Sequence, residues 1–63
     1  MKSYNYSVFY KEELKHLSYE CETCADSIDE IKEEIESADD FIDIDYYEIF
    51  SEDGSEHYEW ERK

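Results

Sequence analysis

The sequence has no proline, a single glycine, one methionine, one tryptophan and two cysteines in 63 residues, and only six lysines and arginines against twenty aspartates and glutamates. Each shortage excludes a class of protein. Two cysteines cannot build the multi-disulfide scaffold of a small secreted domain. Without proline there is no cis-proline loop of the thioredoxin kind, and without a glycine-rich run there is no backbone cradle for phosphates. So few bases exclude direct nucleic-acid binding, because phosphates require Lys and Arg. No apolar run approaches the ~20 residues of a membrane-spanning helix. Met1-Lys2-Ser3 leads into tyrosines and polar residues, not into the apolar segment of a secretory signal. An anionic surface is also repelled by anionic lipid. The expectation is a cytoplasmic, reduced protein with no membrane role.

What the chain does have is acid and aromatic residues. Between His16 and Glu61 stand eighteen acidic residues and one base, Lys32, a formal charge of −17 on a stretch that also holds the only Trp and four of the seven Tyr. Two carboxylates ~7 Å apart repel by roughly 0.6 kcal/mol even in bulk water. Such a load opposes compaction. Leu, Ile, Val and Phe together number twelve, just under a fifth of the chain, which lies on the disordered side of the compositional rule. The 17% aromatic content and the regular apolar periodicities argue for one small folded domain over residues 1–63, with stability that rises with salt as repulsion is screened.

Tyr4, Tyr6, Val8 and Tyr10 share one parity, which predicts a strand over about residues 3–10. After the polar connector Lys11–Lys15, Leu17, Tyr19, Cys21 and Thr23 alternate with polar residues as a second strand, so an antiparallel hairpin is expected. The period then changes. Ile28, Ile31, Ile35 and Ala38 form one stripe of a helix of about three turns, opened by a Ser27/Glu30 capping box or by Asp26. Phe41, Ile42, Ile44, Tyr46, Tyr47, Ile49 and Phe50 read as a third strand whose parity slips between Tyr46 and Tyr47, the mark of a bulge or of two buried faces. Asp53-Gly54 is a turn signal, and Tyr58 and Trp60 alternate with His57, Glu59 and Glu61 in a fourth strand. The fold class expected is α+β: β-β-α-β-β, a four-stranded, mostly antiparallel sheet with one helix on one face. Strands two and three, joined through the helix, are expected to run parallel by a right-handed crossover. The pattern does not set the strand order.

On this plan the sheet presents Glu20 and Glu22 from strand two, Asp43 and Asp45 from strand three, and Glu59 and Glu61 from strand four, recurring every ~6.7 Å along a strand. The helix side offers a second acidic band, Asp29, Glu30, Glu33, Glu36 and Asp40. A lattice of carboxylates at this pitch could occupy a groove built for phosphates, with Lys and Arg of the partner supplying the attraction. A charge run is more ordinarily a solvated face. Tyr6, Tyr10, Tyr46, Tyr47, Tyr58 and Trp60 are candidates either for the core or for contact on the uncovered sheet face.

Catalytic and metal chemistries find little support. Cys21-Glu22-Thr23-Cys24 is a C-x-x-C, but a redox thiolate needs positive surroundings, and its neighbours are Glu20, Glu22 and Asp26. Cys21, Cys24, His16 and His57 add up to a two-Cys, two-His zinc set, although the histidines are forty-one residues apart; packed free thiols are the simpler reading. Asp39, Asp40, Asp43 and Asp45 lack the Gly and Glu in register that a calcium loop needs. No nucleophile motif occurs, so the chain reads as non-enzymatic and without cofactor.

In length, in the strand–helix–hairpin plan of residues 17–61 and in acidic segments such as Asp26-Ser27-Ile28-Asp29-Glu30-Ile31-Lys32-Glu33-Glu34-Ile35-Glu36, the chain resembles a class: very small, acidic, aromatic-rich phage proteins that inhibit host nucleic-acid machinery, including anti-CRISPR and anti-restriction DNA mimics. The resemblance implies an inhibitor in the host cytoplasm that blocks a basic groove by charge mimicry, and it transfers no individual functional residue. The alternative expectation is a small interaction module, or a homodimer, that associates through an aromatic sheet face and uses its acid for solubility.

Overall fold

The computed structural model describes residues 1–63, the side chain of Lys15 excepted. Strand β1 (Lys2–Tyr10) leads through a 3-10 segment, Glu12–Leu17, into β2 (Tyr19–Ala25); helix α1 (Ile28–Glu36) follows, then a second 3-10 segment, Asp39–Asp43, and the hairpin of β3 (Ile44–Ser51) and β4 (His57–Glu61). The strands form one open sheet in the order β2-β1-β3-β4, and every neighbouring pair is antiparallel. The expected α+β plan is therefore present. β2 and β3 do run in the same direction, as a helical crossover requires, but β1 lies between them, so no parallel ladder forms.

Several boundaries differ from the sequence reading. Leu17 belongs to the first 3-10 segment, and Phe41, Ile42 and Asp43 belong to the second, so β3 starts only at Ile44. The parity slip is a bulge, one residue earlier than expected. Phe9 pairs with Tyr46 and Tyr10 with Ile44, leaving Asp45 as the extra residue. Ile44 and Tyr47 thereby face the same way and are both buried. The helix ends at Glu36, short of Ala38, which is extended. Its last turn holds no base, and Glu33, Glu34 and Glu36 oppose the macrodipole there. At its start, the Glu30 carboxylate accepts the Ser27 backbone N–H at 3.2 Å, as the capping box predicts.

The core lies between α1 and one sheet face. Ile31 and Ile35 of the helix pack with Tyr4, Tyr6, Val8 and Tyr10 of β1, Ala25 of β2, and Ile44, Tyr47 and Ile49 of β3. Tyrosine takes the place of scarce aliphatics, burying its ring while its hydroxyl reaches the rim. There the partner is repeatedly a carboxylate: Tyr4 donates to Glu56 at 2.9 Å, Tyr10 to Asp40 and Tyr47 to Glu36. Trp60 stacks on Tyr47 with ring centroids 5.4 Å apart, and Phe41 closes over Trp60 at 4.9 Å. Arg62 lies across both Phe41 and Trp60 and donates to the carbonyls of Phe41 (2.8 Å) and Ile44 (3.0 Å), tying β4 to the second 3-10 segment.

Candidate functional site

No element covers the second face of the sheet, and the ladder registers fix what it displays. Strand residues directly opposite one another point to the same side. Three rows cross this face: Glu22, Asn5, Phe50 and His57; Glu20, Ser7, Glu48 and Glu59; and, toward the bulge, Phe9, Tyr46 and Glu61. Five carboxylates and one imidazole share the surface, and the strands contribute no Lys or Arg to it.

The acid falls into two rails. Glu20 and Glu22 line the β2 edge, while Glu48, Glu59 and Glu61 line the β3–β4 side. Strands are spaced ~4.8 Å apart, so the rails stand about 10–14 Å from each other, close to the ~12 Å width of the B-DNA major groove. Between them β1 offers small side chains, Ser3, Asn5 and Ser7, as the floor of a shallow trough whose lining includes Glu20, Glu22, Cys24, Phe50 and Glu52. Aromatic residues stand at both ends of the floor: toward the bulge the ring of Phe9, which is 43% exposed, lies 5.5 Å from that of Tyr46, and at the other end Phe50, 38% exposed, stands opposite Asn5.

Four of the six bases are engaged elsewhere. Lys2 pairs with Glu56 at 3.2 Å, Lys11 approaches Asp43 at 3.9 Å, Lys32 lies over the Tyr58 ring at 4.2 Å, and Arg62 is stacked at the end of β4. Among the described residues, no hydrogen bond or ion pair engages the side chains of Glu20, Glu22 or Glu61. Glu48 accepts from the Tyr46 hydroxyl at 3.1 Å, and burial followed by this bond to an anion pushes the Tyr46 phenol up to about 12. His57 Nε2 lies 3.7 Å from Glu48 Oε2 and 3.5 Å from Glu59 Oε1.

Of the residues singled out in the sequence, Glu20, Glu22, Glu59, Glu61 and Tyr46 share the open face. Asp43 does not: it belongs to the 3-10 segment, with Lys11 beside it. Asp45 is the bulge residue, outside the ladder rows. Tyr6, Tyr10 and Tyr47 are in the core, and Tyr58 and Trp60 are packed against it on the helix-covered face. The acidic band on the helix side is partly engaged within the fold. Glu30 caps the helix, and Glu36 and Asp40 receive the core tyrosine hydroxyls, leaving Asp29 and Glu33 as its members whose side chains no hydrogen bond engages among the described residues. The zinc set is dispersed. Cys21 is level with Tyr6 on the covered face, Cys24 is level with Ser3 on the other, and β2 and β4, which carries His57, are opposite edges of the sheet. His16 is exposed in the first 3-10 segment.

Sequence reasoning missed Glu48, Phe9 and Phe50 as members of this face. For Glu48 a signal existed. A bulge anywhere between Ile44 and Tyr47 puts both on one side and sends Glu48 to the other, and an Asp53-Gly54 turn sets Glu48 opposite Glu59. Comparison of the chain with known protein families, curated proteins and solved structures found no match.

Proposed function

We propose that this chain is a non-enzymatic inhibitor whose open sheet face docks into the basic, nucleic-acid-binding groove of a host protein, such as an RNA-guided nuclease or a restriction enzyme. The observation that carries this reading is the composition of that face: five carboxylates in two rails, no Lys or Arg from the strands, and exposed Phe9 and Phe50 with half-buried Tyr46 beside a polar trough. Rails about 10–14 Å apart offer anions to Lys and Arg that would otherwise hold two phosphate strands. The aromatic residues supply the apolar contact that phosphates lack. Electrostatic steering makes such association fast and salt-sensitive. The helix side is acidic too, and Tyr19 is 44% exposed at its β2 edge, but three of its carboxylates already serve the fold.

Association into a homodimer through the same face brings five carboxylates of one copy against five of the other, and the aromatics Tyr47, Tyr58 and Trp60 are used in packing. That reading is therefore the weaker.

The test is displacement of labelled duplex DNA or guide RNA from a panel of purified nucleic-acid-handling enzymes at ~0.1 M salt. The expected outcome is competitive displacement that fades by ~0.5 M salt, with the triple variant Glu20→Lys, Glu48→Lys, Glu59→Lys weakened by about tenfold or more. Affinity that is unchanged by charge reversal, or that increases with salt, removes the electrostatic mechanism.

A further inference from the structure

We infer that Glu48, His57 and Glu59 form a binding site for a divalent transition-metal ion of the zinc class at the β3–β4 edge of the open face. The hairpin holds the three in place. Glu48 stands directly opposite Glu59, and His57 precedes Glu59 by two residues on the same side of β4. Their ligand atoms all lie within 4.8 Å of one another, with His57 Nε2 at 3.5 Å from Glu59 Oε1 and 3.7 Å from Glu48 Oε2. In a tetrahedral zinc site with bonds of about 2.0–2.1 Å, neighbouring ligand atoms stand ~3.4 Å apart. The two imidazole–carboxylate separations are within a few tenths of an ångström of that edge, so rotation of two surface glutamates completes the set.

The energetics point the same way. Like charges directly opposed on an antiparallel ladder destabilise it, and the Glu48–Glu59 pair is such an opposition. A dication between them turns the repulsion into chelation. Tyr46, donating to Glu48 Oε2 at 3.1 Å, orients this carboxylate from outside, as outer hydrogen bonds do around metal ligands. One imidazole and two carboxylates leave a fourth position for water. The imidazole selects against magnesium and calcium, which take oxygen ligands. Only His57 is shared with the cysteine–histidine set considered from the sequence. If the proposed function holds, a bound ion cancels two charges of one rail and weakens docking; that consequence rests on the mimicry reading, whereas the metal site does not.

The experiment is calorimetric titration of zinc chloride into the purified chain, without partner, near neutral pH and at ~0.1 M salt, with the histidine ring resonances followed by NMR. The expected result is one ion per chain, a shift of the His57 ring signals, and affinity reduced about tenfold or more in His57→Ala and in the double variant Glu48→Gln, Glu59→Gln. His16→Ala, and Glu20→Gln with Glu22→Gln on the other rail, should stay within about twofold, and magnesium in about tenfold excess should not compete. His57 is exposed, so its replacement leaves the fold intact, which circular dichroism verifies. The site is overturned if His57→Ala binds zinc like the parent, if several equivalent ions bind and magnesium displaces them, or if neither heat nor ring shifts appear up to millimolar zinc. Zinc binding without any displacement of nucleic acid would leave the metal site standing and defeat the mimicry reading alone.

Discussion

At the scale of single residues the chain solves one problem with another. Too few aliphatics are available for a core, so tyrosines fill it; too many carboxylates crowd the surface, so several accept the tyrosine hydroxyls. The result is proton linkage at high pH. Tyr4, Tyr6, Tyr10, Tyr19, Tyr46 and Tyr47 all hold their protons above the ordinary value of 10.0, first because burial disfavours the phenolate. At Tyr4, Tyr10, Tyr46 and Tyr47 a hydrogen bond to a carboxylate adds to this. With folded values raised, the unfolded chain releases protons first. The contribution to stability is thus complete below pH 10 and is lost as pH climbs toward the folded values. The expected outcome is cooperative alkaline unfolding in which phenolate absorbance rises together with loss of circular dichroism; tyrosines ionising near pH 10 in a chain that keeps its fold would contradict it. Tyr47→Phe should cost about 1 kcal/mol at neutral pH by removing the bond to Glu36, and should make the alkaline transition less steep by about one linked proton.

Among the elements, Arg62 has the clearest structural task. It stacks over Phe41 and Trp60 and donates to two carbonyls, reinforcing the Phe41–Trp60 contact that joins a 3-10 segment to a strand end. Arg62→Ala should lower the unfolding free energy by about 1–2 kcal/mol, and Arg62→Lys should recover only part of it, because an ammonium neither stacks nor forks. Denaturant midpoints measure both. Element identity was largely legible in the sequence. The period-2 tyrosines, the 3.6-residue isoleucine stripe and the Asp53-Gly54 turn each report a local geometry. What sequence could not supply was non-local. The placement of β1 between β2 and β3 follows from long-range pairing, and the 3-10 winding of Asp39–Asp43 reflects Phe41 seated on Trp60 and Asp40 meeting Tyr10. Alternating Phe41, Ile42 and Ile44 suggested a longer strand, and that error put Asp43 and Asp45 on the face where Glu48 belongs. The aromatics went astray for a related reason: parity groups residues by side but does not say which side the helix covers.

For the whole molecule, the formal charge of −14 on 63 residues sets the response to the medium. Repulsion between the rails, and between both and the acidic helix, is screened within ~10 Å at 0.1 M salt and within ~3 Å at 1 M. The melting temperature should therefore rise by several degrees or more between ~0.02 and ~0.5 M sodium chloride, as read by calorimetry, with most of the gain at the lower end. A melting temperature indifferent to salt would mean that the carboxylates are too well solvated to feel one another. No helix is long and apolar enough to cross a membrane.

The sheet order also has a consequence for biosynthesis. β1 is translated before the other three strands yet is sandwiched between a strand that follows promptly and one whose pairing runs from Tyr4 to Ser51. A lone two-stranded hairpin is marginal in water, and contacts of such sequence separation slow folding. Until Ile44–Ser51 has been synthesised, then, the central strand has one neighbour in place of two, and the sheet gains its middle only when that later segment arrives.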